Sequence, residues 1–304
     1  IFFIGKGLTR LIFFTILNCD FLITTLSNLN NNIKISKNCK KMVYVPHSLC
    51  STHKVYEKEA FQHFDIFFSS GDYQKIELRK AEKEYQFKEK KILNVGYIFF
   101  ENFKIKEKNH STSEKKTIIF APSWQRNSKN LLNDFGDKII QKLLEKNFRI
   151  YLRLHPESVK RSSSKLKYIK SKFEMNKNFV INTDLENFSH FEKSEMLITD
   201  NGGVALEYVY IFKKPVLYIN YQEKIQNKDF KRISVNTLED TFKKNFCYQI
   251  QIKDLNNIDV NIDHIIKKDS EKIINGINFL KKNIYTNKKA SDEAFKFIDN
   301  LWTD

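Results

Sequence analysis

The chain has 304 residues, 41% of them hydrophobic, which is enough for two domains of ordinary size, each with its own core. With 8 glycines and 4 prolines, the composition excludes collagen-like and low-complexity classes. The net charge of +16 predicts acidic partners, such as anionic lipid or phosphate-rich small molecules. Because the lysines are spread along the chain, we interpret most of this charge as a solvated surface and not as a nucleic-acid site.

The cysteines and the apolar runs indicate the redox compartment of the protein and its relation to the membrane. The four cysteines have no C-x-x-C spacing, so we expect neither a zinc site nor a disulfide framework, and we expect a reducing compartment. No apolar run is as long as a membrane span. Leu8–Leu17 is apolar but short and contains Arg10, which predicts a packed helix, with a place in a membrane interface as the alternative. The start at Ile1 leaves open that the first domain is truncated.

Strand-like and helix-like patterns alternate in residues 1–103, which we assign to an N-terminal domain. The predicted strands are Ile1–Ile4, Asp20–Leu26, Met42–Val45, Asp65–Ser69 and Ile92–Val95. The predicted helices are Gly5–Leu17, Leu49–Phe64 and Asp72–Tyr85. This alternation predicts half of a doubly wound α/β architecture.

After a polar and charged linker at 104–116, the pattern restarts in residues 117–285, the predicted second domain. The predicted strands are Thr117–Ala121, Arg149–Leu154, Phe179–Ile181, Met196–Thr199 and Val216–Ile219. The predicted helices are Asp134–Lys146, Lys165–Met175, Leu185–Lys193, Val204–Phe212 and Ser270–Asn283. Such alternation demands a parallel sheet with right-handed crossovers. Residues 221–268 are read as irregular.

A closing helix, Ser291–Trp302, is predicted within residues 286–304, with Ser291 as its N-cap. Two α/β halves joined by a short linker predict a cleft between them. Ligands are expected there, at the carboxyl ends of the strands.

The stretch Met196–Asn220 is a predicted βαβ unit whose turn contains Gly202 and Gly203. Without Cβ atoms at these two positions, a phosphate can approach backbone N–H groups at the positive end of the following helix. Glu207 lies one turn into that helix and can reach a ribose or glycerol hydroxyl. The alternative interpretation is that the glycines only make a tight turn and Glu207 only complements the helix dipole.

Polar residues follow three predicted strands of the second half, at the strand ends where open α/β sheets bind ligands. A serine hydroxyl can donate to a phosphate, an arginine offers a planar fork of donors, and a histidine before a proline is held in extended backbone. A tryptophan can stack on a base, although core packing is the favoured role here. These residues are Ser123 and Trp124, Arg153 and His155, and Thr199 and Asp200.

In the first half, His47 follows the predicted strand Met42–Val45 in the same way. Histidine changes its charge near neutral pH, so it suits a general base that deprotonates a hydroxyl. His53 is a candidate second ligand-binding group.

Five segments together resemble the CDP-glycerol glycerophosphotransferase family, which contains the teichoic-acid primases and polymerases. They are YVPHSLCSTH, EAFQHFDIFFSSG, IIFAPSW, YLRLHPES and LITDNGGVALEYVYIFKKPVLYIN. The similarity covers most of the region from Asp20 to Tyr221, and the order and spacing of the motifs agree. The resemblance implies a GT-B fold with no metal and no cofactor, in which two Rossmann-like doubly wound domains face a cleft. It implies an acceptor-side domain at 1–103 and a nucleotide-donor domain at 117–285.

The resemblance also implies roles for individual residues. The family's catalytic base falls on His47, and its Arg/His-Pro motif, which holds the donor phosphates, falls on Arg153 and His155. His155 is therefore a second candidate catalytic residue, since it would stabilise charge on the leaving phosphate. The family's Thr-Asp loop falls on Thr199 and Asp200.

One departure from the family pattern concerns the donor. The family loop continues with Tyr and two serines, whereas this chain has Asn201-Gly202-Gly203. Serine hydroxyls would bind a pyrophosphate, but here only backbone N–H groups and Asn201 remain. The loop is similar to loops of GT-B enzymes that use nucleotide sugars, so the identity of the donor stays open.

These observations predict a transferase that moves glycerol phosphate, or a related polyol phosphate, from a CDP-polyol to a glycan or lipid-linked acceptor. We expect it in the cytoplasm, on the inner face of the cell membrane, attracted by anionic lipid and not by nucleic acid. The alternative enzyme is a GT-B glycosyltransferase of capsule or lipopolysaccharide synthesis. A UDP-sugar 2-epimerase ranks last because the first half lacks a convincing set of carboxylates. An inactive GT-B partner and a nucleic-acid-binding protein are the non-enzymatic alternatives, the latter without a stacking motif.

Overall fold

The computed structural model describes residues 7–30, 33–103, 116–126, 129–182, 188–268, 270–286 and 289–303. The strands are β1 (Cys19–Thr24), β2 (Cys39–Tyr44), β3 (Ile66–Ser69), β4 (Lys91–Asn94), β5 (Thr117–Phe120), β6 (Arg149–Arg153), β7 (Phe179–Asn182), β8 (Met196–Thr199), β9 (Val216–Asn220) and β10 (Tyr248–Gln251). The α-helices are α1 (Leu8–Ile16), α2 (Asp72–Tyr85), α3 (Leu131–Glu145), α4 (Pro156–Arg161), α5 (Ser163–Phe173), α6 (Ser189–Lys193), α7 (Val204–Phe212), α8 (Leu238–Phe246), α9 (Ile258–Lys268), α10 (Glu271–Asn283) and α11 (Ala290–Thr303). The predicted strand Ile1–Ile4 and all of the predicted linker except Lys116 lie outside the described residues.

The chain divides into two compact units, and both are discontinuous. The first comprises Ile1–Phe103, Ile225–Leu238 and Lys281–Asp304, and the second comprises Lys104–Lys224 and Glu239–Leu280. Residues 225–238, which the sequence analysis placed with the donor domain, therefore pack with the first unit. Asn227 explains this, because its side-chain amide donates to the His53 carbonyl at 2.9 Å and to the Tyr85 hydroxyl at 3.0 Å.

The first unit contains a four-stranded parallel sheet in the order β1-β2-β3-β4. All four residues of β3 are buried, as expected for a strand covered on both faces. An aromatic cluster packs on one face of the sheet. Tyr44 stacks on Phe67 and meets Phe61 and Phe64 edge to face, with centroid distances between 4.8 and 5.3 Å.

The predicted helix Leu49–Phe64 is wrong, because this segment runs between β2 and β3 as a series of turns. Residues 51–54 are buried, and Thr52 is held by a side chain instead of a helical ladder. Both the backbone N–H and the hydroxyl of Thr52 donate to Glu77 Oε2, at 2.6 and 2.8 Å. The helical spacing of apolar residues in this segment reflects separate contacts with the core.

The predicted packing of α1 holds only for Phe14, whose side chain is 7% exposed. Leu8, Leu11, Ile12 and Ile16 are 71, 42, 48 and 70% exposed. They lie at helical positions i, i+3, i+4 and i+8, and therefore form one apolar stripe, here called the α1 stripe. In the described part of the chain, no helix combines the length and the apolar character needed to cross a membrane.

The C-terminal helix α11 begins at Ala290, so Ser291 is not its N-cap as predicted. The backbone N–H and hydroxyl of Ser291 both donate to the carboxylate of Glu101. Ala290 is 2% exposed and packs in the core of the first unit, which sets the start of the helix. Gly71 packs against the end of α10, since a Cβ there would lie 1.9 Å from the carbonyl oxygen of Asn283.

The second unit contains a six-stranded parallel sheet in the order β10-β9-β8-β5-β6-β7. From β5 the chain runs outward through β6 and β7, then returns to the other side of β5 for β8, β9 and β10. The sheet is therefore doubly wound, with its switch point between β5 and β8. Fully buried apolar residues of the central strands, including Ile118, Phe120, Ile198 and Leu217, form the core with α3, α5 and α9.

The prediction of five strands in this half was incomplete, because β10 forms the sixth. Residues 221–268, which the sequence analysis left irregular, contain α8, β10 and α9. Only Ile250 is buried in β10, an edge strand, so the apolar signal that marks a strand is weak there.

Candidate active site

The loops that follow β5 and β8 meet at the switch point through Ser123 and Asp200. Asp200 is 1% exposed and accepts hydrogen bonds from the backbone N–H of Ser123 at 2.7 Å and from its hydroxyl at 3.0 Å. Burial raises the pKa of the Asp200 carboxyl, and these hydrogen bonds oppose the rise. We call this pair the Ser123–Asp200 joint.

Thr199 reinforces the same joint. Its buried hydroxyl donates to the carbonyl of Ala121 at 2.7 Å, which ties the end of β8 to the end of β5. The sequence analysis assigned Ser123, Thr199 and Asp200 to donor binding. The structure brings them together as a support that shapes the two loops, and their contact with a donor stays a prediction.

Gly202 opens the turn before α7. Its φ of +98° is in the region that favours glycine, and no atom lies within 4 Å of the position that a Cβ would take. Gly203 follows as the N-cap residue of α7 and offers no side-chain cap. The space beside Gly202 is therefore open where the chain enters α7, and backbone N–H groups at a helix N-terminus favour an anion. Glu207 is half-buried in the first turn of α7.

His155 is the N-cap residue of α4. Its Nδ1 accepts a hydrogen bond from the backbone N–H of Glu157 at 3.1 Å, so the neutral ring carries its proton on Nε2. The ring stacks on Trp124 with centroids 5.9 Å apart and an interplanar angle of 21°. His155 is exposed, and its fixed tautomer makes Nε2 a donor that suits an anion.

Arg153 ends β6, and its guanidinium lies over the rings of Phe188 and Phe191, at 4.6 and 4.8 Å from their centroids. This stacking holds the planar group in place. The predicted contact of Arg153 with a donor phosphate stays a prediction.

His47 and His53, both in the first unit, have different surroundings. His47 is exposed just beyond β2, its ring meets Tyr56 edge to face at 6.3 Å, and its carbonyl accepts from the Tyr97 hydroxyl at 3.2 Å. The side chain of His53 is fully buried, with Nε2 at 3.2 Å from the Val235 carbonyl. His53 is thus held inside the first unit, and its suggested role in ligand binding stays a prediction.

Sequence reasoning missed a support for the loop after β9. The carbonyl of Gln222 accepts from the side-chain amide of Asn201 at 2.7 Å and from that of Gln125 at 3.2 Å. We call this arrangement the Gln222 clamp. Asn201, predicted to bind donor, uses its amide here to hold main chain. Gln125 lies 97 positions from Gln222 in the sequence, and Asn201 lies 21 positions from it. At such separations the sequence gives no local signal of a contact.

Over the ranges that the structure describes, no three His, Cys, Asp or Glu side chains gather as metal ligands would. The expectation that the reaction needs no metal, which came from the family resemblance, stays a prediction.

Comparison with solved structures supports the fold. A single-residue variant of the wall teichoic acid polymerase TagF matches with a TM-score of 0.55 and 16% identity, over 93% of this chain and 74% of that chain. S. aureus MnaA in its structure with UDP matches with a TM-score of 0.53 and 12% identity, over 94% of this chain and 76% of that chain. At such identities the likeness concerns the fold alone. It confirms the predicted α/β class and GT-B type.

Sequence comparison gives the family. No curated protein matches the chain in sequence. The family model described as CDP-glycerol:poly(glycerophosphate) glycerophosphotransferase matches residues 40–249, well over half of the chain. The matched range includes the loop with His47, the Ser123–Asp200 joint and the start of α7, so the resemblance seen in the five sequence segments is confirmed. The chain belongs to the CDP-glycerol:poly(glycerophosphate) glycerophosphotransferase family.

Proposed function

We propose that this chain transfers glycerol phosphate, or a related polyol phosphate, from a CDP-polyol to a hydroxyl of a cell-surface glycan or lipid-linked acceptor. The observation that carries the proposal is the family match, because residues 40–249 include every residue of the candidate site. TagF, whose fold this chain shares, is a wall teichoic acid polymerase. That description supports an acceptor in cell-wall glycopolymer synthesis.

In the proposed reaction, the acceptor oxygen attacks the phosphorus that carries the polyol. The anhydride bond between the two phosphorus atoms breaks, and CMP leaves with the bridging oxygen. His47 accepts the proton of the acceptor hydroxyl as the new P–O bond forms. Its exposed ring, directly after β2, suits a base that must reach an incoming substrate.

The second unit would hold the donor. The first N–H groups of α7 and the open space beside Gly202 suit the diphosphate. The Nε2–H of His155 and the Arg153 guanidinium would stabilise the charge that develops on the departing CMP. Glu207 would accept a hydrogen bond from a ribose or glycerol hydroxyl.

Product analysis tests the proposal. The protein is incubated with CDP-glycerol, CDP-ribitol and common UDP-, GDP- and CMP-sugars, together with a crude membrane acceptor. We expect release of CMP from a CDP-polyol, dependent on the acceptor. If no CDP-polyol is consumed while a nucleotide sugar is, the proposal fails.

A second candidate function is glycosyl transfer from a nucleotide sugar. Asn201-Gly202-Gly203, where the family has Tyr and two serines, is the observation that favours it. In the same assay, this activity would release UDP or GDP from the nucleotide sugar and leave CDP-glycerol intact.

We also propose that the α1 stripe and a neighbouring basic segment place the protein on the inner face of the cell membrane. The backbone N–H of Ser36 donates to the carbonyl of Phe14 at 2.8 Å, which brings residues 34–41 beside α1. Four exposed lysines lie in this segment: Lys34, Lys37, Lys40 and Lys41. An apolar stripe next to clustered lysines is typical of binding to anionic lipid, at about 1 kcal/mol for each lysine near the surface.

Vesicle flotation checks this placement. The wild-type chain is expected to float with vesicles containing phosphatidylglycerol and not with pure phosphatidylcholine. Leu11→Glu combined with Ile12→Glu should weaken this binding by about tenfold or more, because two apolar side chains leave the interface. Val260→Glu is the matched control, since Val260 in α9 is 65% exposed but lies outside the stripe. Equal flotation of all three proteins would contradict the role of α1.

A further inference from the structure

Trp124, next to the Ser123–Asp200 joint, lies among cationic groups. The guanidinium carbon of Arg161 is 5.6 Å from the centroid of its ring, and Lys224 Nζ is 5.7 Å away. The His155 ring stacks on it at 5.9 Å. The indole Nε1 is buried and has no hydrogen-bond partner among the residues described. A buried N–H without a partner at a candidate active site indicates a missing acceptor.

Lys224 and Arg161 differ in how their charges are neutralised. Arg161 Nε lies 3.0 Å from the Glu157 carboxylate. Lys224 is half-buried, and within the described ranges it makes no ion pair with a carboxylate. A partly buried ammonium without a counter-ion favours an anionic ligand.

The Gln222 clamp determines where Lys224 lies. Gln125, which is 7% exposed, and Asn201 both donate to the carbonyl of Gln222, two residues before Lys224. Asn201 directly precedes Gly202, whose turn opens the N-terminus of α7. One short loop therefore leads into the N-terminus of α7 and also fixes the backbone that carries Lys224.

We infer that Lys224 and the Trp124 N–H contact the phosphates of the nucleotide donor, and that Asn201 and Gln125 are positioning residues for Lys224. The inference rests on the proposed function in one respect, namely that the donor is a nucleoside diphosphate derivative. Phosphate oxygens accept hydrogen bonds only, so one phosphate can satisfy the indole N–H and the ammonium together. A nucleobase would leave the charge of Lys224 without a partner. The ring of Trp124 already stacks on His155, which leaves its N–H as the group that binds.

Tryptophan fluorescence provides the test, because the chain has 2 tryptophans, and Trp302→Phe leaves Trp124 as the single reporter. In this background the full chain is titrated with CDP, CMP, cytidine, UDP, GDP and pyrophosphate. We expect CDP, but not cytidine, to change the emission. Lys224→Gln should weaken CDP binding by about tenfold or more, the loss of a hydrogen bond to a charged group. Lys224→Arg should keep most of the affinity.

The positioning role is tested in the same assay. Asn201→Ala should weaken CDP binding, and combining it with Lys224→Gln should add little, because both changes remove the same contact. Lys228→Gln is the matched control, since Lys228 is an exposed lysine four positions further on. Circular dichroism confirms that each variant is folded.

The outcomes separate this inference from the proposed function. If CDP binds and Lys224→Gln binds it as tightly as the parent, the inference is overturned while the function stands. If UDP or GDP binds in place of CDP, with the same dependence on Lys224, the inference stands and the proposed donor is wrong. If none of the phosphate ligands changes the emission of Trp124, the inference is overturned.

Discussion

Replacing His47 with alanine is expected to lower kcat by about a hundredfold or more, since a positioned general base contributes that much to the rate. The side chain is exposed at the surface, where its ring meets Tyr56 edge to face, so the fold should be unaffected. The affinity for CDP, measured by Trp124 fluorescence, should not change, because the residues proposed to bind the donor lie in the second unit. The measurement is acceptor-dependent CMP release under saturating donor.

His63→Ala is the matched control for this experiment. His63 is an exposed histidine of the same unit, outside the candidate site, and its removal should leave kcat within about twofold of the parent value. Near-normal turnover of a folded His47→Ala protein would show that another group, or water, takes the proton.

Replacing Asp200 with alanine is expected to abolish most activity and to destabilise the second unit. The buried carboxylate accepts from the backbone N–H and hydroxyl of Ser123, and its loss leaves both donors without their acceptor. We expect a decrease of about 3 kcal/mol in the free energy of unfolding, near the upper end for a buried polar group left unsatisfied. The loops after β5 and β8 would separate, so kcat/KM for the donor should fall by about a hundredfold or more. Urea titration and initial rates measure the two effects.

Asp200→Asn separates the shape of the joint from its charge. An amide oxygen can still accept from the Ser123 N–H, so this variant should keep more stability and activity than the alanine variant.

Burial raises the pKa of Asp200 above its ordinary value, so the folded chain holds the proton of this carboxyl to a higher pH than the unfolded chain does. Protonation of Asp200 therefore contributes to the free energy of unfolding. This contribution is fully present below the ordinary pKa of an aspartate and is lost as the pH rises through the raised pKa of the folded chain. The asparagine variant does not titrate, so its stability relative to wild type should increase with pH across this interval. A difference between wild type and Asp200→Asn that does not vary with pH would contradict this account.

Local sequence patterns determined the helices and strands whose apolar runs end where glycine or proline interrupts the chain. The predicted bounds of β8 and α7 match the structure, because an apolar strand, a Gly-Gly turn and a helix before a proline are all encoded by neighbouring residues. The predicted bounds of α2 match as well, since Gly71 separates β3 from a charged amphipathic helix. The segment 49–64 was misread because its apolar residues recur at helical spacing although their contacts are tertiary. Strand β10 was missed because Ile250 is its one buried residue.

Some features of the candidate site could also be predicted from local sequence, whereas others depend on the tertiary structure. The sequence by itself placed Ser123, Asp200 and His155 after strands, since each follows an apolar run. Only the tertiary structure decided that β5 and β8 are neighbours, and this order brings Ser123 to Asp200 across 77 positions of sequence. The Gln222 clamp and the place of Lys224 beside Trp124 likewise come from long-range contacts. Hydrogen bonds between loops depend on strand order, and no periodicity in the sequence encodes that order.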